Sequence, residues 1–174
     1  PKNDGTTSST FLHRSEVIMD HFTLKNGAMH AEDVPLSRIA EEVGTPVYVY
    51  SRATLERHAR VFMDALSGLG RKHFAFAIKA NPNLSVLRVL AKCGFGADVV
   101  SGGEIARALA SGIAPADVVF SGVGKTREEL RRALDDGIGQ FNIELEDEGN
   151  AISELAVAMG KRAVAVLRVN PDVD

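Results

Sequence analysis

Cysteine is nearly absent from this 174-residue chain, which carries only Cys93. No internal disulfide can form, and a reducing cytoplasm fits. No stretch of about 20 apolar residues exists to span a bilayer. No basic run stands out and the net charge is −3, so neither nucleic acid nor a membrane surface is an expected partner. Residues 1–18, PKNDGTTSSTFLHRSEVI, lack the long apolar segment after a basic start that marks a signal peptide. They read as a leader or disordered segment ahead of Met19, a candidate natural start. The chain is 45% hydrophobic and 25% charged, a balance expected of a soluble globular protein with a substantial core.

Periodicity supplies the order of elements. Residues 21–34 read as a strand with a turn at Asn26-Gly27. Residues 35–44 predict a short helix, with Leu36, Ile39, Ala40 and Val43 on one face and Gly44 as the stop. TPVYVYS (45–51) alternates like a strand. A helix follows over 52–70, with Leu55, Ala59, Phe62 and Leu66 on one face. From residue 73 the pattern becomes regular. Strands are predicted at 73–80, 96–101, 117–122, 139–146 and 162–172, and helices at 83–94, 102–112, 126–137 and 147–161. Such alternation implies a parallel sheet with right-handed crossovers. Two architectures satisfy it, an open doubly wound sheet and a (β/α)8 barrel. A barrel takes roughly 250 residues, so residues 51–174 amount to about half of one.

The glycine motifs do not complete a nucleotide site. GVGKT (122–126) resembles the tail of a phosphate-binding P-loop, but the glycine required five residues before the Gly-Lys pair is Val119, inside an apolar strand. The expectation is an ordinary loop with Lys125 in solvent. In GFGADVVSGGE the glycines precede a strand, whereas the dinucleotide fingerprint follows a strand and opens a helix.

HFAFAIKANPN (73–83) ends an apolar strand on an ammonium group. Lysines commonly snorkel from strand ends. Three features favour chemistry at Lys79. It stands at the C-terminal end of a parallel strand, where α/β proteins place their active sites. Apolar neighbours favour the neutral, nucleophilic amine. Asp98 and Arg168 stand near the ends of two other strands. A lysine, a carboxylate and a guanidinium at one mouth fit a Schiff-base site. No metal is expected.

FAIKANPN, GFGADVVSGGEIARAL and FSGVGKTREEL, with the opening DHFTLKNGAMHAEDVPLSRIAEEVGTPVYVYS, resemble the N-terminal half of the diaminopimelate decarboxylase family. That family lies in the alanine-racemase-like, fold-type-III class of pyridoxal 5′-phosphate (PLP) enzymes. The resemblance runs from about Met19 to Asp174. It implies an α/β fold, a (β/α)8 TIM barrel whose first half lies at 51–174. The preceding segment, 19–50, would pack with a C-terminal β domain. It implies that Lys79 carries PLP covalently and helps manage protons. Asp98 sits beside the amine and the cofactor, and Arg168 lies near the cofactor ring. Ala77 and Asn81 line the pocket. Glu104 matches an acidic residue of the same wall, though a carboxylate at a helix N-terminus has its own reason to be there. Ser101 reads as a helix cap or a ligand.

The implied reaction is PLP-dependent decarboxylation of meso-2,6-diaminopimelate to L-lysine in lysine biosynthesis, by a cytoplasmic homodimer acting on this small amino acid. In the family the stacking histidine, the glycine-rich phosphate loop, the acidic partner of the ring nitrogen and a β-domain cysteine come later in the chain. His13, His21, His30, His58 and His73 do not match the stacking position, and Cys93, mid-helix, reads as a small buried hydrophobe. The expectation is a fragment, inactive by itself. Three readings stand beside this one: another fold-type-III enzyme, such as an ornithine or arginine decarboxylase or a racemase; a non-enzymatic PLP-binding protein; and an open-sheet binding module without PLP.

Overall fold

The computed structural model describes residues 20–171. The leader predicted at 1–18, the candidate start Met19 and His13 lie outside the described residues. The chain divides into two compact units, residues 1–49 and 50–174.

In the first unit, strands β1 (Phe22–Lys25) and β2 (Ala28–Ala31) pair antiparallel. Asn26 (φ 52°) and Gly27 (φ 79°) join them. Two consecutive positive φ values give the tight turn whose twist matches the flanking strands, and Asn-Gly tolerates them best. β3 (Val34–Pro35) adds to β2, and α1 (Leu36–Val43) follows. The strand predicted at 45–51 does not form. Its alternating Val and Tyr residues have strand propensity, but propensity is realised only where a neighbouring edge accepts the backbone, and no described strand pairs with it.

The second unit opens with α2 (Arg52–Ala65), capped by Ser51, whose Oγ accepts the Thr54 N–H at 3.1 Å. The helix ends ahead of Gly68 and Gly70 rather than running to residue 70. Next come β4 (Ala75–Ala77), α3 (Leu84–Lys92), β5 (Gly96–Val99), α4 (Gly102–Ala110), β6 (Val118–Phe120), α5 (Arg127–Asp136), β7 (Gln140–Ile143), α6 (Glu146–Ala158) and β8 (Ala165–Leu167). Each of these strands is shorter than its prediction, because flanking residues such as Ser121, Glu144 and Arg168 lie beyond the last laddered pair and already belong to the loops.

The sheet runs β4-β5-β6-β7-β8, every pair parallel. This strand order decides between the two architectures. A doubly wound sheet reverses its order at a switch point and carries helices on both faces. Here the order never reverses, and one face alone packs against helices. Ala97, Val99, Val118, Phe120, Phe141 and Ile143 meet Leu87, Ile105, Leu130, Leu134 and Ile152 in one buried cluster. Because successive strand residues point to opposite sides, Asp98, Val119, Gln140 and Asn142 share the other face. A sequentially wound sheet with helices on one side is barrel wall.

The N-terminal ends of the strands pack closely on the loop before β6. A Cβ built on Gly139 would lie 2.0 Å from the Ala116 carbonyl oxygen, so backbone would have to move. Gly139→Ala is expected to cost about 3 kcal/mol, read as a lowered urea midpoint. Gly70→Ala, with no atom within 4 Å of its new methyl, should change that midpoint little.

Candidate active site

Lys79 follows β4 rather than ending it. Ile78–Ala80 make one 3-10 turn, closed by the Asn81 N–H donating to the Ile78 carbonyl at 3.0 Å. Ile78 is fully buried in the core and anchors the turn. Beyond it the Asn81 side chain accepts the Asn83 N–H at 3.1 Å, and Asn83 caps α3 by accepting the Ser85 N–H at 2.8 Å. Arg107 of α4 donates to the Pro82 carbonyl at 3.3 Å. The turn is thus held on both sides while Lys79 itself is exposed. The desolvated amine expected from apolar neighbours is not found: β4 is an edge strand, bordered by β5 alone among the described strands, so one flank of Lys79 is open.

Asp98 lies one strand over, with its Cα in register with Ala77, two residues before Lys79. Its carboxylate accepts a 2.5 Å hydrogen bond from Ser121 Oγ. Ser121 Oγ accepts from Asn142 Nδ2 at 2.9 Å, and Asn142 Oδ1 accepts from Gln140 Nε2 at 2.8 Å. A row of polar side chains therefore crosses β5, β6 and β7 and ends on Asp98. The period-2 polar residues of QFNI (140–143) were the sequence signal for it, and the motif reading above misses them.

Arg168 lies just past β8, three strands from Asp98. Its N–H donates to the Ile143 carbonyl at 3.0 Å, and its guanidinium donates to Glu144 Oε1 at 3.2 Å. The same Glu144 oxygen accepts the Gly122 N–H at 3.1 Å. Glu104 and Ser101 are engaged locally at the start of α4. Ser101 Oγ accepts the Glu104 N–H at 3.3 Å, and Glu104 accepts the Val100 N–H at 2.8 Å. The structure pairs Ala77 with Asp98 across β4 and β5, places Lys79 two residues past Ala77 with Asn81 on the same loop, and leaves Glu104 and Arg168 at other strand ends of the same side.

Lys125 corrects the sequence reading. Its side chain is 1% exposed rather than in solvent. The ammonium donates to the Gly122 carbonyl (2.7 Å), the Asn142 carbonyl (2.8 Å) and Glu148 Oε1 (2.8 Å), and it lies 5.4 Å from the centroid of the Phe120 ring. All three protons have acceptors, so burial is tolerated. Cys93 is also displaced from its expected place. It caps the C-terminus of α3 and is half-buried; burial, then the Glu56 carboxylate, pushes its thiol above the ordinary value.

Glu129 fastens two of the loops on this side. It accepts the Thr126 N–H at 3.0 Å and the Gly102 N–H at 2.8 Å, while Thr126 Oγ1 accepts the Glu129 N–H at 3.2 Å. This is the reciprocal cap of α5, extended to the first turn of α4. The Gly102 donor first, and Thr126 second, hold the Glu129 carboxyl below its usual range. A depressed native value contributes stability above the unfolded value, and that stability is lost as pH falls through the native one. Glu129→Gln should therefore cost about 1 kcal/mol near neutral pH, with the gap to wild type in urea midpoint closing as the carboxylate is protonated.

A cavity of about 600 Å³ lined by Arg71, Lys72, His73, Asp117 and Gly139 sits at the opposite, N-terminal ends of the strands and holds none of the candidate residues. No helix among the described residues is long and apolar enough to cross a membrane.

Fold and site together define a class: an α/β barrel wall with an exposed lysine after one strand and a hydrogen-bonded carboxylate on the next, both at the C-terminal ends of the strands. Within that class the chain belongs to the pyridoxal-dependent decarboxylases, whose pyridoxal binding domain matches residues 52–174. It is 55% identical over 155 residues to a diaminopimelate decarboxylase of Zymomonas mobilis, covering 88% of this chain and 37% of that protein. It is 55% identical over 157 residues to a diaminopimelate decarboxylase of Pseudomonas fluorescens, covering 90% and 38%. The crystal structure of diaminopimelate decarboxylase from M. jannaschii in complex with L-lysine superposes with a TM-score of 0.83 at 35% identity, over 89% of this chain and 37% of that one. The chain thus spans a little over a third of the length of the relatives it matches, and the five parallel strands β4–β8 are consecutive strands of a fold-type-III TIM-barrel wall.

Proposed function

We propose that these residues form part of the cofactor-binding barrel of a diaminopimelate decarboxylase. In this reading the full-length protein carrying them converts meso-2,6-diaminopimelate to L-lysine, as a cytoplasmic homodimer. Residues 51–174 supply barrel wall, and residues 19–50 pack with a β domain. The observation that carries the reading is the placement of Lys79: an exposed primary amine on a pinned turn, with Asp98 one strand away in register with Ala77. The identity to two proteins named diaminopimelate decarboxylase supports the substrate.

The donor set suits a carbonyl-bearing, anionic cofactor. Lys79 would hold PLP covalently through Nζ, and the same atom, as a free amine, would hold or deliver a proton. Asp98 balances positive charge on that nitrogen. Its remaining freedom is restricted by Ser121, so the carboxylate presents a fixed face. Arg168, held by Glu144, keeps a cation on the far side of the mouth. Ala77 leaves room for a planar ring, and Asn81 and Glu104 border the same opening. When bound, PLP supplies the electron sink for the pair left on carbon as carbon dioxide departs. A proton delivered to that carbon completes lysine.

The test is product analysis with the full-length protein and PLP. Carbon dioxide and lysine are expected from meso-diaminopimelate, with kcat/KM at least about 100-fold above that for ornithine or arginine. Faster turnover of ornithine or arginine would move the protein to another branch of the class.

A further inference from the structure

The buried Lys125 lies outside the roles assigned above, and its contacts lead to both ends of the site. Through the Asn142 carbonyl it fixes the residue whose side chain donates to Ser121, and Ser121 in turn donates to Asp98. Through Glu148 it reaches the other end. Glu148 Oε2 accepts the Glu144 N–H at 2.9 Å, and Glu144 holds the Arg168 guanidinium at 3.2 Å and the Gly122 N–H at 3.1 Å. Both glutamate side chains are 8% exposed. Lys125 and Arg168 offset Glu144 and Glu148, so the cluster closes with no net charge. Lys125 also ties its own loop shut through the Gly122 carbonyl. All three ammonium protons are taken by these acceptors, so none is left to donate to a phosphate or other ligand, which excludes a binding role for the ammonium.

The geometry points to Lys125 as a positioning residue: its buried ammonium locks the β6–α5 loop against β7 and α6, and so sets the orientation of Asp98 and Arg168 relative to Lys79. This rests on the decarboxylase reading above. Neither carboxylate nor guanidinium is held by its own strand alone, and both chains of hydrogen bonds pass through segments that Lys125 joins. Misplacement of a reacting group by about 1 Å commonly lowers turnover by about 100-fold, so the effect falls on kcat rather than on substrate capture.

The test compares full-length wild type, Lys125→Met/Glu148→Gln and Ser121→Ala. The double variant removes both buried charges while leaving Glu144 N–H an acceptor; Ser121→Ala removes the hydroxyl that bridges Asn142 and Asp98 and leaves the ion pair intact. Melting temperature, kcat, KM and the yield of borohydride-fixed PLP on Lys79 are measured. The expected result is a kcat about 10- to 100-fold lower in both variants, with KM within about threefold of wild type and, for Ser121→Ala, an unchanged melting temperature. Wild-type kcat in either variant overturns the inference. If wild type itself takes no cofactor on Lys79, the decarboxylase reading fails instead. Amide exchange then decides the positioning role: faster exchange at Gly122 and Glu144 in the double variant supports it, and unchanged exchange overturns it.

Discussion

Lys79→Ala in the full-length protein is expected to lower kcat/KM by at least about 1,000-fold and to abolish covalent capture of PLP at this position. The side chain is exposed and its turn is held by Ile78, Asn81 and Arg107 rather than by the ammonium. Folding should therefore survive, with stability within about 0.5 kcal/mol of wild type. Lys79→Arg separates charge from nucleophilicity. A guanidinium keeps the positive charge beside Asp98 but does not deprotonate to a nucleophilic amine. It should be as inactive as the alanine variant. Substantial activity in Lys79→Arg would mean that the residue serves only as a cation.

Lys125→Met is the substitution with the largest expected effect on stability. A methionine fills most of the volume but leaves the Glu148 carboxylate and the Gly122 and Asn142 carbonyls without their donor. Removing one partner of a buried pair costs about 3–5 kcal/mol, because the remaining charge stays desolvated. Adding Glu148→Gln should recover much of the loss, since a neutral amide needs less compensation there. The urea midpoint of the full-length protein measures both. Had Lys125 been a solvated loop lysine, the single change would fall within about 0.5 kcal/mol.

That contrast shows what was legible in the sequence. The strand–helix order from residue 73 onward could be read because each element is short, periodic and punctuated by its own cap or glycine; Ser101, Thr126 and Gly137 mark boundaries by local chemistry alone. The environment of Lys125 could not be read, because its three acceptors come from a turn at Gly122, a strand at Asn142 and a helix at Glu148. Only the fold brings them to one point. The same holds for the row Gln140, Asn142, Ser121 and Asp98, which is polar in each strand separately but becomes a hydrogen-bonded chain through sheet register. Alternation left barrel and open sheet undecided, since that distinction lies in strand order, a nonlocal property. TPVYVYS misled for a related reason: β propensity describes willingness to pair and not the presence of a partner.

The central claim is that Lys79 is the residue that holds the cofactor. Incubating the full-length protein with PLP, reducing with borohydride and mapping the peptides tests it most directly. One adduct per chain, on the peptide containing Lys79, is the result this account predicts. No adduct, or adducts scattered over other exposed lysines with Lys79 unmodified, would contradict it.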